Sequence, residues 1–157
     1  MIKTDYKLLN SQLHALLDGE ADALAAAANF VGLLYNAIEE INWLGIYVLR
    51  GDELVLGPFQ GKPACVHIAL DEGVCGAAAS TLQTQRVADV HAFPGHIVCD
   101  ADSRSELVVP LVSHGKLIGV LDIDSPVTRR FSAADQTGVE LLCESFCTLQ
   151  ETRKYFI

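Results

Sequence analysis

Residues 106–123 restrict the possible fold more than any other stretch of the chain. Two apolar runs of strand length, 106–113 and 116–123, are joined at Ser113-His114-Gly115-Lys116. So short a joint, with a glycine in it, makes the pair a hairpin, and a hairpin is antiparallel. The second run alternates. Ile118, Val120, Asp122 and Asp124 are expected on one face, and Leu117, Gly119, Leu121 and Ile123 on the other.

The rest of the chain supplies further strands and the helices to cover them. Tyr6, Leu9, Leu13, Leu16 and Leu17 recur at helical spacing, which predicts a helix over about 5–17 that stops at Gly19. An alanine-rich helix is expected over 20–39. From 42 to 49 the period is two, with Trp43, Gly45 and Tyr47 on one face and Leu44, Ile46 and Val48 on the other. A turn at 50–53 leads into a return strand over 54–56, which Gly57-Pro58 is expected to interrupt. Short strands are expected at 65–70 and 86–90, with a short helix of small residues opening at 73–79 between them. The last helix is expected over 133–154, with Ser132 as N-cap and Asp135 three residues on. The fold class is therefore α+β, an antiparallel sheet with helices packed on it. A length of 157 residues fits one domain spanning 1–157.

Charge and composition narrow the setting. A formal net charge of −9 argues against nucleic acid or an anionic membrane surface as partner. No apolar run approaches a membrane span, and residues 1–5 lack the layout of a signal peptide, so the expected compartment is the cytoplasm. Five cysteines there are expected as reduced thiols, catalytic groups or metal ligands.

Three groups of residues could do chemistry. Cys99 lies on a loop after the Pro94-Gly95 turn, between His96 and Asp100; it reads either as a reactive thiol or as a small hydrophobe. Cys65 and Cys75 also lie in or beside loops, whereas Cys143 and Cys147 share one face of the last helix and read as packing. Zinc is a weak reading of the loop cysteines, because no tight Cys-x-x-Cys spacing is present. Asp122 and Asp124, with Glu106 on the facing strand, make an acidic group suited to an ammonium or a divalent metal if they converge. The alternative is that Asp124 starts a turn with Ser125-Pro126. Trp43 and Tyr47 read as core, or as the wall of a pocket.

Taken in order, Gly57-Pro58-Phe59-Gln60-Gly61-Lys62, Cys65, Gly73-Val74-Cys75-Gly76, Phe93-Pro94-Gly95-His96-Ile97 with Cys99-Asp100, Ser105 to Leu111, and Gly119 to Ser125 closely resemble the free methionine-(R)-sulfoxide reductases, a stand-alone branch of the GAF-domain family. The resemblance runs from about Trp43 to Leu142; Val98, where a smaller residue is usual, is a mild departure. It implies a GAF-like six-stranded antiparallel sheet flanked by helices, a homodimer, free methionine-(R)-sulfoxide as substrate, thioredoxin as reductant, and neither metal nor organic cofactor. It implies Cys99 as nucleophile, Cys65 as resolving cysteine and Cys75 as an auxiliary one. Trp43, Tyr47, Glu106, Asp122 and Asp124 are implied as the substrate pocket. The rivals are a GAF sensor that binds a small ligand without catalysis, and a thiol redox sensor or zinc module. Three loop cysteines, with no output domain expected in this length, weigh against the first.

Overall fold

The computed structural model describes residues 3–150. Its elements are α1 (Tyr6–Leu17), α2 (Ala23–Ala37), β1 (Trp43–Arg50), β2 (Glu53–Gln60), β3 (His67–Ala69), α3 (Gly73–Thr81), β4 (Gln85–Val87), a 3-10 turn (Val90–Ala92), β5 (Ser105–Ser113), β6 (Lys116–Ser125) and α4 (Ala133–Gln150). The six strands form one sheet in the order β3-β2-β1-β6-β5-β4, and every neighbouring pair is antiparallel.

The helices start where short polar side chains satisfy their free N–H groups. Asp5 accepts from Leu8 N and Asp22 from Ala25 N, so α2 begins at Ala23 and not at residue 20. At α4 the capping is reciprocal: Ser132 Oγ accepts from Asp135 N at 3.1 Å and Asp135 Oδ2 from Ser132 N at 2.8 Å. The expected end of that helix, 151–154, lies outside the described residues. No helix among the described residues is long and apolar enough to cross a membrane.

The sheet has two different faces. Leu44, Ile46, Val48, Leu107, Leu121 and Ile123 pack under α1, α2 and α4, where Cys143 and Cys147 are also buried, as their packing reading expects. Trp43, Tyr47, Val108 and Val120 face α3 and the loops, with Cys75 in the same layer. The second layer is thinner, and there the sheet gives way to loops.

Two irregularities correct the strand reading. β2 is not interrupted at Gly57-Pro58. Between the pairs Gly45↔Phe59 and Tyr47↔Leu56, two β2 residues oppose Ile46 alone, which is a bulge. A bulge tolerates proline, and Gly57 is required because a Cβ there would lie 2.9 Å from Ile46 O. In the hairpin, Leu111 faces Gly119 but Val112 faces Leu117, so Ile118 is an extra residue. Below it the phase reverses: Ile118 packs with the helix layer and Leu117 with the α3 layer, opposite to the expected alternation. The turn takes the positive φ of His114 (51°) and Gly115 (74°), the backbone twist that hairpins favour. The strand expected at 86–90 is shorter, because the Asp89 side chain accepts from His91 N and turns the chain into the 3-10 segment. The strand expected at 65–70 likewise shortens to β3.

Candidate active site

Strand β1 and the residue before it hold two loops together over the thinner face. The Tyr47 hydroxyl donates to Cys65 O at 2.9 Å, and Trp43 Nε1 donates to Lys62 O at 3.1 Å. Both bonds fix the loop between β2 and β3. Asn42 Nδ2 donates to Asp100 Oδ2 at 3.3 Å and to Ser103 Oγ at 3.4 Å, which fixes the loop between the 3-10 turn and β5. An exposed ion pair, Lys62 Nζ to Asp102 Oδ2 at 2.8 Å, ties one loop to the other. The indole of Trp43 is stacked between Phe59 and Tyr47, with ring centroids 5.4 and 5.9 Å away. That packing leaves Gly45 no room for a side chain.

The two loops are joined covalently. Cys65 and Cys99 form a disulfide with Cα atoms 5.6 Å apart, although 34 residues separate them in sequence. Both cysteines are half-buried. Beneath them is a recess of about 560 Å³, part of it open to solvent, lined by Trp43, Tyr47, Cys75, Cys99, Glu106, Asp122 and Asp124. Seven of the eight residues singled out from sequence therefore line one space, and the eighth, Cys65, is bonded to its rim.

The floor is acidic because of strand register. Asp124 pairs with Glu106 and Asp122 with Val108 across the hairpin, so the three carboxyls share a face. Asp124 pairs with Trp43 inside the ladder, so it does not begin a turn. Glu106 and Asp122 are each only 6% exposed. The Glu106 carboxyl and the Cys75 thiol, the latter from the first turn of α3, both adjoin Asp122, with one ligand atom of each of the three within 4.8 Å of the others. Acids this close cannot all ionise without cost.

Titration follows from this crowding. Burial pushes the Glu106 carboxyl well above its usual range, and the charges of Asp122 and Asp124 push it further. Asp124 is raised well above its usual range by burial, then by Asp122 and Asp100. Asp122 is raised by burial, an effect that the neighbouring Glu106 carboxyl and Cys75 thiol partly offset. The Cys75 thiol is driven up by burial and then by the carboxylates around it. The sequence reading missed Asn42, which positions the second loop. His96, noted from sequence only as a neighbour of Cys99 and an alternative proton donor, has its Nε2 4.0 Å from Glu106 Oε2 within the recess wall. Burial, then His91, lowers the His96 pKa. His96 had a local signal as a neighbour of Cys99, but its contact with Glu106 exists only once the loop folds over β5.

The GAF domain family matches residues 12–149. The free methionine-R-sulfoxide reductase of Escherichia coli K12 is 49% identical over 160 residues, covering 99% of this chain and 97% of that protein. The chain belongs to the free methionine-R-sulfoxide reductases of the GAF-domain family. Solved members of the reductase family superpose over nearly all of it. The Staphylococcus aureus enzyme in complex with substrate has a TM-score of 0.90 at 47% identity, covering 95% of this chain and 97% of that one. The Neisseria meningitidis reductase in complex with its substrate has a TM-score of 0.89 at 40% identity, covering 93% and 88%. The six-stranded antiparallel sheet flanked by helices is thus the family's fold.

Proposed function

We propose that this chain reduces free L-methionine-(R)-sulfoxide to methionine with its own thiols, and that thioredoxin restores them. The observation that carries the reading is the Cys65–Cys99 disulfide at the rim of an acid-floored, aromatic-walled recess. Each feature matches a demand of the reaction. The Cys99 thiolate attacks the sulfoxide sulfur. The sulfoxide oxygen must gain a proton to leave, and Glu106 or Asp124, whose burial favours the protonated form, supplies it. Methionine departs and Cys99 is left as a sulfenic acid. The Cys65 thiol then attacks Cys99 Sγ, water leaves, and the disulfide forms. The sum is one sulfoxide and two thiols giving one sulfide, one water and one disulfide. A dithiol reductant reopens it by exchange.

Trp43 and Tyr47 wall the methyl and thioether end, and an ionised carboxylate of the floor takes the ammonium. Cys75, which adjoins Asp122 on the floor, is an auxiliary thiol in this scheme. Homodimeric assembly, and one domain spanning 1–157, belong to the same proposal; sedimentation measures the first.

The test is a thiol count. Fully reduced protein given one equivalent of free methionine-(R)-sulfoxide should lose two thiols and release one methionine per chain. Methionine release with no thiol loss, or no release at all, overturns the scheme.

A further inference from the structure

We propose that Cys75, Glu106 and Asp122 form a zinc site, so that zinc binds reversibly on the floor of the recess and excludes the substrate. The three residues come from α3, β5 and β6 and are all buried. One sulfur and two carboxylate oxygens from them lie within 4.8 Å of one another. Zinc bonds of about 2.3 Å to sulfur and 2.0–2.2 Å to oxygen place tetrahedral donors about 3.6 Å apart, so side-chain rotation closes the gap.

A second observation points the same way. Asp122 Oδ1 is buried and has no hydrogen-bond partner, while the residue faces the recess. A buried oxygen without a partner is costly, and a ligand that coordinates it removes the cost. Among the described residues, the recess lining offers the floor no unpaired lysine or arginine. The one lysine lining the recess, Lys62, is paired with Asp102 and exposed. Three carboxyls and a thiol thus converge, and the basic group beside them among the described residues is His96, 4.0 Å from Glu106.

Donor chemistry selects the ion. Calcium and magnesium prefer all-oxygen sites, whereas one thiolate with two carboxylates suits zinc. A fourth position is left open to water. Cys75 is well placed for this even in the oxidised chain. Cys65 and Cys99 are then tied up in the disulfide, and the cysteines outside it, Cys143 and Cys147, lie in the helix layer on the opposite face. The binding itself does not depend on the proposed activity; only the inhibition rests on that reading.

The experiment uses the disulfide form of the full chain and adds cobalt(II) as a spectroscopic stand-in for zinc. One equivalent should give a thiolate-to-cobalt charge-transfer band that zinc displaces. Cys75→Ser should abolish the band, and Glu106→Gln or Asp122→Asn should weaken cobalt binding at least about tenfold. No band, or a band that survives Cys75→Ser, overturns the site. In turnover assays zinc should raise the apparent KM for methionine sulfoxide while leaving kcat unchanged, with full reversal by EDTA. Zinc that binds at Cys75 yet leaves KM unchanged overturns the placement on the substrate floor. A cobalt band in a chain without reductase activity would leave the site standing and remove the reductase reading instead.

Discussion

Glu106→Gln should make this protein more stable while lowering its activity, and the gain in stability should grow with pH. Glu106 is 6% exposed and faces Asp124 across the hairpin, with the Asp122 carboxyl beside it. Ionising it places a second or third negative charge in a nearly dry space. Glutamine has almost the same shape and carries no charge at any pH. Above the unfolded value the folded chain must take up a proton to bury Glu106, at about 1.4 kcal/mol for each pH decade between the unfolded and folded values, and glutamine removes that requirement. A gain of about 2 kcal/mol corresponds to roughly 4–8 °C in Tm for a chain of this size. The sign with pH follows from the raised pKa of Glu106 in the folded state. Its contribution to stability is full below the unfolded value, about 4.3, and is lost as pH rises through the folded one. Wild type and variant should therefore match near pH 4 and separate progressively by about pH 6 and 8. Urea unfolding of the disulfide-intact proteins, followed by the fluorescence of the buried Trp43, measures this. A variant less stable than wild type at the alkaline end, or a difference that does not change with pH, refutes the picture of an uncompensated acid cluster.

Four further outcomes are expected. Reduced Cys65→Ser should release one methionine per chain in a single-turnover assay but lose at least about tenfold in thioredoxin-driven turnover, since only the buried auxiliary thiol of Cys75 is left to resolve the sulfenic acid at Cys99. Tyr47→Phe deletes the bond to Cys65 O, worth about 1 kcal/mol, and should slow disulfide closure about fivefold, read as a longer-lived sulfenic acid trapped by dimedone. Gly45→Ala places a methyl group against the Trp43 ring and Phe59; it should cost about 1–3 kcal/mol in urea unfolding and raise KM more than it lowers kcat. Turnover should fall as pH rises through the raised pKa of the donor acid, even as the thiolate fraction grows. The alkaline limb should disappear in whichever of Glu106→Gln and Asp124→Asn removes that donor, and a normal kcat with the limb intact in both variants rules out these two acids.

Some of this was legible in the chain and some was not, for identifiable reasons. The hairpin, the opposed faces of β1, and the capping of α4 follow from patterns within one segment. The burial of Cys143 and Cys147 follows from helical spacing in the same way. Local sequence does not reveal that Cys65 and Cys99 meet, because the loops that bring them together are held by Tyr47, Trp43 and Asn42 through bonds to backbone and to distant side chains. Their pairing as nucleophile and resolver came only with the family resemblance. His96 was visible beside Cys99, but its approach to Glu106 depends on a loop conformation that no spacing encodes.

The bulge at Ile118 shows how much depends on a feature the alternation conceals. At the turn the pairing is Ser113↔Lys116 and Val112↔Leu117. Continued without a break, that register would set Asp122 opposite Leu107, a residue of the helix-covered face. Directly paired residues share a face, so the carboxyl would be driven into the apolar layer under α4, where no polar group of the recess could meet it. The one extra residue advances the register, so that Asp122 faces Val108 and Asp124 faces Glu106. Burial of Leu121 and Ile123 under the helices favours this phase, and the alternative would expose them while burying two acids. The cost of misplacing the acids thus acts on the same strand as the gain from burying its leucine and isoleucine. A hairpin whose turn dictates one phase and whose outer half demands the other can satisfy both only by inserting a residue between them. Ile118 is where the insertion does least harm, since its side chain still reaches the helix layer. The acidic floor of the recess is therefore a consequence of how the hairpin resolves its own core packing, and the chemistry proposed for Glu106 and Asp124 rests on that backbone irregularity.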